Sequence, residues 1–259
     1  MRRVCVAGIT GWTGGPVAEA IAAAEDLELV GGVSRSSAGT RLAALDVPVF
    51  ASVREAIEAV AADVVVDYTN AAAVKENVLA ALSLDVAVVV GSSGLTAADF
   101  DEIDARAREA RVGVIAAGNF SLLAALLLRS AAETARHVGS WEIVDYASAA
   151  KPDVPSGTAR ELAERLATVR EPTLERAVDT LEGPHEARGA AVAGTQIHSV
   201  RLPSFVVSTE IVFAAAGERL VLRHDPGESP APYVAGTLLA IRSVGDRVGL
   251  TRGLDSLLS

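Results

Sequence analysis

Short apolar runs alternate with amphipathic stretches through the first half of the chain. Residues 3–7, Leu27–Val33, Asp63–Asp67, Val86–Val90 and Val112–Ala116 are rich in Val, Leu and Ala, and small or polar residues follow each closely. This is the pattern of short strands buried on both faces. Helical spacing begins at Val17–Ile21 and returns over Ser52–Ala61, Ala71–Leu82 and Ala97–Ala110. Strand and helix in turn predict a parallel, doubly wound α/β sheet. The second half has another rhythm. It reads as strands near 140–147, 196–214 and 218–224, then a helix at about 232–245.

Composition narrows the class. The 259 residues are 50% hydrophobic and 4% aromatic, enough for a sizeable core in one large or two small domains. The net charge of −10, with no Lys/Arg-rich block, argues against nonspecific nucleic-acid binding. Cys5 is the only cysteine, which excludes an intrachain disulfide and a cysteine metal site. The first strand starts at once, with no charged leader and cleavable apolar segment before it. Apolar stretches such as Leu122–Leu128 are too short to span a bilayer. The default expectation is a cytoplasmic protein without a membrane partner.

The turn after the first strand is Gly8-Ile-Thr10-Gly11-Trp12-Thr13-Gly14. Strand, glycine turn and helix in this order make the phosphate-binding start of a dinucleotide fold. Taken alone, the same glycines could serve only a tight turn. The second strand ends in Ser34-Arg35-Ser36-Ser37, where an NAD-binding fold usually places an acid on the ribose. Arg35 and the serines can take a 2′-phosphate, which favours NADPH with NADH still possible. The other reading is a polar loop with one exposed arginine. Ligands of such sheets bind beyond the carboxyl ends of the strands. The loops there carry Tyr68-Thr69, Gly91-Ser92-Ser93 and Gly118-Asn119-Phe120, a candidate cofactor rim or plain turn chemistry.

Lys151 is one of two lysines against 21 arginines. Lysine can be tuned to release a proton, whereas arginine cannot. Five residues later, Ser156-Gly157-Thr158 reads as a capped helix start that would offer N–H groups to an anion. The pair supplies an ammonium and a carboxylate cradle, or else a solvated lysine before an ordinary helix.

Together these landmarks resemble the dihydrodipicolinate reductase family, over nearly the whole chain. Asp67-Tyr-Thr69 is similar to the family's D-F-T, Gly91-Ser-Ser-Gly94 to G-T-T-G, and Asn119-Phe-Ser121 to N-F-S. Lys151-Pro-Asp-Val-Pro-Ser-Gly-Thr-Ala159 resembles K-x-D-A-P-S-G-T-A, and Arg188-Gly189, Ile197–Arg201, Gly217–Leu220 with His224 and the tail fit later family segments. The resemblance implies a nucleotide-binding Rossmann domain over 1–119, with 229–259 returning to it. It implies an α+β substrate and tetramerisation domain over 120–228, with a mostly antiparallel or mixed sheet. It implies hydride transfer from NADPH or NADH to a C=N or conjugated C=C bond of a small cyclic carboxylate. Gly8, Gly11 and Gly14 would hold the pyrophosphate. Thr69, Gly91 and Ser93 would line the nicotinamide, Lys151 would meet the substrate, and Ser156, Gly157 and Thr158 would bind its carboxylate. A homotetramer through the second sheet is implied, with Pro203–Phe213 apolar enough for the contact.

The departures fall on the chemistry. Where the family carries E-x-H-H-x-H-K, this chain reads Asp145-Tyr-Ala-Ser-Ala-Ala-Lys151, placing Ala147, Ser148 and Ala150 at the histidine positions. Loss of a positioned acid typically removes a factor of ~10²–10⁴ in rate. Trp12 stands where many members have a basic residue. Val207–Glu210 and Pro226–Pro232 replace runs that in relatives end H-Q-E and carry an arginine. Three functions fit. The leading one is a specialised paralogue whose proton comes from Lys151, Tyr146, water or the substrate. The second is the 4-hydroxy-tetrahydrodipicolinate reductase of lysine synthesis, and the third a non-catalytic nucleotide-binding homologue. His198 and His224 sit in strand-like stretches and read as sheet histidines. Alternatively, His198 with Arg201, and Ser148 nearby, reach the substrate. No H-E-x-x-H or H-x-x-x-H spacing points to zinc.

Overall fold

The computed structural model describes residues 1–205 and 207–258. The chain divides into two compact units, one of Met1–Leu122 with Pro230–Ser259 and one of Leu123–Ser229.

In the first unit the chain runs β1 (Arg2–Ala7), α1 (Gly14–Ala23), β2 (Leu27–Val33), β3 (Arg41–Leu42), β4 (Val47–Phe50), α2 (Val53–Val60), β5 (Val64–Asp67), α3 (Val74–Leu82), β6 (Ala87–Val90), α4 (Ala97–Ala110) and β7 (Gly113–Ala116). The strands lie in the order β13-β7-β6-β5-β1-β2-β4-β3, where β13 (Gly249–Arg252) comes from the C-terminal segment. All pairs are parallel except β3 with β4. β5, β6 and β7 are buried at every position, as expected for a sheet covered on both faces. Local chemistry sets the helix ends. Ser52 caps α2 by accepting from Glu55 N, and a Thr96–Asp99 capping box starts α4. One face of the sheet is filled by Val and Ala from β1, β5 and β6 with Val74, Val78 and Ala81 of α3 and Ile103 and Ala107 of α4. The first unit is therefore the doubly wound sheet that the alternation predicts. The two-residue β3, the short β4 and β13 were not foreseen.

In the second unit follow α5 (Leu122–Ala135, beginning one residue earlier), β8 (Ser140–Ser148), α6 (Gly157–Ala167), β9 (Ala190–Val192), β10 (Thr195–Leu202), β11 (Val207–Ala215) and β12 (Glu218–His224). α7 (Ala231–Val244) belongs to the first unit. The second sheet has the order β12-β11-β8-β10-β9. It is mixed, since β8 pairs parallel with β10 and antiparallel with β11. The expected run 196–214 is two strands on opposite sides of β8, separated at Pro203 and Ser204, the latter with φ +69. Val206, within that run and within the proposed contact segment, lies outside the described residues.

Alternation along β8 decides which side chains meet. Trp141, Ile143, Asp145 and Ala147 are buried, while Glu142, Val144, Tyr146 and Ser148 are half-buried on the opposite face. The buried face packs with Ile197, Ile211 and Phe213 against Leu128 and Ala131 of α5 and Ala159, Leu162 and Leu166 of α6. No described helix is long and apolar enough to cross a membrane. The described residues contain no group of three or more His, Cys, Asp or Glu that could hold a metal ion.

Candidate active site

In the first unit β1 delivers the chain into a turn at Gly8, whose N–H donates to Val33 O at 2.9 Å. Gly11 N donates back to Gly8 O at 2.8 Å. A Cβ on Gly14 would lie 2.1 Å from Gly8 O, so the turn closes only on glycine. α1 then starts behind Thr13, which makes no side-chain cap bond. A helix start left without a side-chain cap behind a glycine turn suits a pyrophosphate. Beside it, Thr10 Oγ1 meets Ser34 Oγ at 3.0 Å, and Ser34 Oγ meets Ser36 Oγ at 3.2 Å. Arg35 is exposed next to this chain of hydroxyls. Trp12, 52% exposed, touches Tyr233 edge to face at 6.1 Å. These donors and hydroxyls fit a dinucleotide.

The rim has a centre that the sequence reading passed over. Asp67, fully buried at the end of β5, accepts from Thr69 N at 3.1 Å, Thr69 Oγ1 at 2.7 Å and Ser92 Oγ at 2.6 Å on one oxygen. Its other oxygen accepts from Asn77 Nδ2 at 2.7 Å. The hydroxyl protons of Thr69 and Ser92 are thereby committed to Asp67, and toward a ligand these oxygens present lone pairs. Asn77 could have been suspected only from its place one helical turn into α3. Tyr68 points the other way. Thr237 Oγ1 donates to Tyr233 O at 2.8 Å, so at 2.6 Å Tyr68 Oη is the donor to Thr237. Burial pushes the Tyr68 hydroxyl far above its ordinary pKa. Its ring stands edge-on to Phe120 and fills the space where a Gly91 Cβ would come within 2.1 Å. Tyr68 and the 2%-exposed Phe120 are therefore wall residues behind the rim. Ser93 is exposed on it, and Asn119 Oδ1 holds Ser121 N at 2.8 Å.

In the second unit Lys151 follows β8 in a loop, with its N–H on Ser148 O at 3.0 Å and Nζ 2.8 Å from Asp153 Oδ1. The loop ends at Ser156, the cap of α6, whose Oγ accepts from Ala159 N at 3.3 Å. Ser156 N donates to Asp145 Oδ2 at 2.9 Å. The N–H and Oγ lone pair of Ser156 are thus engaged internally. The first turn of α6 begins at Gly157, and helix starts of this kind suit an anion. Asp145 is fully buried and also receives Ser199 Oγ at 3.1 Å and Arg201 Nη2 at 2.8 Å. Burial alone would raise its carboxyl, but the Ser156 hydrogen bonds and Arg201 outweigh it and hold it below the ordinary carboxylate value.

His198 does not join this group. Side chains three apart on a strand face opposite ways, and its Nε2 meets Glu142 Oε2 at 2.7 Å on the other face, where Arg188 binds the same carboxylate. Burial opposes the charge on Glu142, but Arg188 and His198 keep its pKa low. His198 is thus a hydrogen-bonded sheet histidine. Arg201 is committed to Asp145 and does not pair with His198. Tyr146 also lies on the open face, stacked on Phe205 at 5.4 Å with the Arg223 guanidinium 5.0 Å from its centre. Ser148, at the strand end, accepts from Ala150 N at 3.3 Å. Ala147 is fully buried.

A parallel sheet with a glycine turn and an uncapped helix start is the frame of an NAD(P)H-dependent oxidoreductase. Comparison with known proteins makes the family definite. The family description "Dihydrodipicolinate reductase, N-terminus" matches residues 2–120, and "Dihydrodipicolinate reductase, C-terminus" matches residues 122–258. The chain belongs to the dihydrodipicolinate reductase family. It is 34% identical over 262 residues to the 4-hydroxy-tetrahydrodipicolinate reductase of Syntrophomonas wolfei, covering 99% of this chain and 98% of that one. It is 38% identical over 261 residues to the enzyme of the same name from Cutibacterium acnes, covering 100% and 99%. Among solved structures, dipicolinate-bound dihydrodipicolinate reductase from Paenisporosarcina sp. TG-14 superposes with a TM-score of 0.78 at 30% identity, covering 99% of each chain. GenD2 from gentamicin A biosynthesis, in complex with NAD, shares the fold with a TM-score of 0.67 at 16% identity, covering 99% of this chain and 90% of that one.

Proposed function

We propose that this chain reduces 4-hydroxy-tetrahydrodipicolinate, with NADPH preferred over NADH. The observation that carries the reading is likeness of both domains, end to end, to reductases of that name. It weighs against the specialised paralogue that the missing histidines suggest. Bound NAD(P)H supplies the hydride. The glycine turn and the α1 start hold its pyrophosphate, and Asp67 orients Thr69 and Ser92 on the nicotinamide rim. Ser34, Ser36 and the exposed Arg35 would receive a 2′-phosphate, and the absence of an acid from Ser34-Arg35-Ser36-Ser37 supports NADPH. Gly157 and Thr158 take one substrate carboxylate at the α6 start. Lys151 holds the second carboxylate or gives its proton to the ring, while Asp153 keeps the ammonium in place.

One observation favours a second reading, a reductase specialised for another cyclic imine. Ala147, Ser148 and Ala150 carry no group that transfers a proton well at neutral pH, and Ala147 is wholly buried. Complementation separates the two. Expressed in a diaminopimelate auxotroph that lacks its own reductase, the chain should restore growth without added diaminopimelate. Failure to grow, with soluble chain present in the cells, would favour the specialised enzyme. We propose further that the chain is a homotetramer built on the open face of the second sheet. Val144 and Val212 are half-buried there and Val221 is exposed.

A further inference from the structure

Arg201 stands on β10, 50 residues after Lys151 in sequence, and its side chain is 15% exposed. Its guanidinium nevertheless reaches the lysine loop once directly and once through Asp145 of β8. Nη2 donates to Asp153 O at 2.9 Å, inside the loop, and to Asp145 Oδ2 at 2.8 Å. The same Asp145 oxygen accepts Ser156 N, at the loop's far end. Nη1 donates to Asp145 O at 3.3 Å and Val200 O at 3.0 Å, fixing the guanidinium against β8 and β10. One planar group thus ties both parts of the 151–156 segment to the sheet. Its two terminal nitrogens together meet four acceptors on β8, β10 and the loop, a spread that a planar guanidinium spans and a compact ammonium does not.

We propose that Arg201 is a positioning residue for substrate binding: through Asp153 O, and through Asp145 to Ser156 N, it sets the distance between the Lys151 ammonium and the α6 start. The proposal rests on the reading of Lys151 and the α6 start as a dicarboxylate site. An ammonium and a helix start that grip two carboxylates of one rigid ring must keep a fixed spacing. No backbone hydrogen bond of a regular element sets that spacing in a loop. Val154, 61% exposed in the middle of the segment, adds little packing to hold it. Ser199 provides an internal control. Its hydroxyl donates to the same Asp145 oxygen, on β8 rather than in the loop.

The test uses the full chain with dipicolinate as the probe, since its binding needs no turnover. Wild type, Arg201→Lys and Ser199→Ala are titrated with dipicolinate in the presence of NADPH, and with NADPH alone. Arg201→Lys should weaken dipicolinate by at least about tenfold, the scale of a lost charge-assisted hydrogen bond. Its NADPH affinity should be unchanged, and Ser199→Ala should bind both as wild type does. In steady state Arg201→Lys should raise KM for the carboxylate substrate and leave that for NADPH. Equal dipicolinate affinity in Arg201→Lys and wild type overturns the proposal, as does an equal loss in Ser199→Ala. If the wild type itself ignores dipicolinate, the dicarboxylate reading fails first, and with it this proposal. Should Arg201→Lys not fold, hydrogen exchange on the wild type decides. Ser156 N–H should exchange as slowly as the amides of β8, and fast exchange there overturns the proposal.

Discussion

At the scale of single residues the chemistry converges on Lys151. Its ammonium lies 2.8 Å from Asp153 Oδ1 on a loop that ends in the cap of α6. Lys151→Ala should lower kcat/KM for the true substrate by ~10²–10⁴, the range for a lost acid, with NADPH binding intact. Lys151→Arg keeps the charge but not a proton to give, and steady-state kinetics should find it nearly as inactive. Recovery of most activity by arginine would show that the residue only binds. This part of the site was legible because it is local. One of only two lysines and a Ser-Gly-Thr helix start lie within eight residues of each other, and rarity marks the lysine in a chain of arginines. The partners of those residues were not legible. Asp145 and Arg201 meet only through the parallel pairing of β8 with β10, 56 residues apart, and neither strand advertises its neighbour. For the same reason His198 and Arg201 look like a pair in sequence and face opposite ways in the sheet.

At the scale of elements, Asp145 joins β8, β10 and the start of α6 through Ser199, Arg201 and Ser156. Its carboxyl is held below its ordinary pKa despite burial. A carboxyl whose folded pKa is depressed gives stability that is present above the unfolded value, about 3.9. That stability is lost as pH falls through the folded value. Asp145→Asn should therefore cost roughly 3 kcal/mol at neutral pH, the scale of a broken buried pair. The gap should narrow below about pH 4. Denaturation followed by Trp141, which is buried in the same unit, reads this out in a Trp12→Phe background. A gap independent of pH would mean that Asp145 is not charged in the fold. The major elements of the first unit were readable because each is a short run rich in buried apolar residues or an amphipathic stretch at helical spacing. β3, β4, β9 and β13 were not: β3 and β9 have only two and three residues, and β4 and β13, as long as β5, β6 and β7, lack their unbroken burial. The two strands on either side of Pro203 merge in sequence because only a short break separates them, and tertiary pairing sends them to opposite sides of β8.

At the scale of the whole molecule, the chain divides its work. On the proposed reading, one unit carries the residues for a dinucleotide, and the other those for an anion and a proton. The two family descriptions fall on either side of residue 121. The fold and family were visible in the ordered motifs. The choice of substrate was less so, because the three alanine and serine positions argue one way and the full-length likeness the other. Steady-state oxidation of NADPH by the purified chain settles that choice most directly, with 4-hydroxy-tetrahydrodipicolinate set against a panel of other cyclic imino acids and NADH run in parallel. The account predicts saturable turnover with the highest kcat/KM for 4-hydroxy-tetrahydrodipicolinate, and a higher value with NADPH than with NADH. No turnover of that substrate, alongside clear turnover of another cyclic imine, would contradict it.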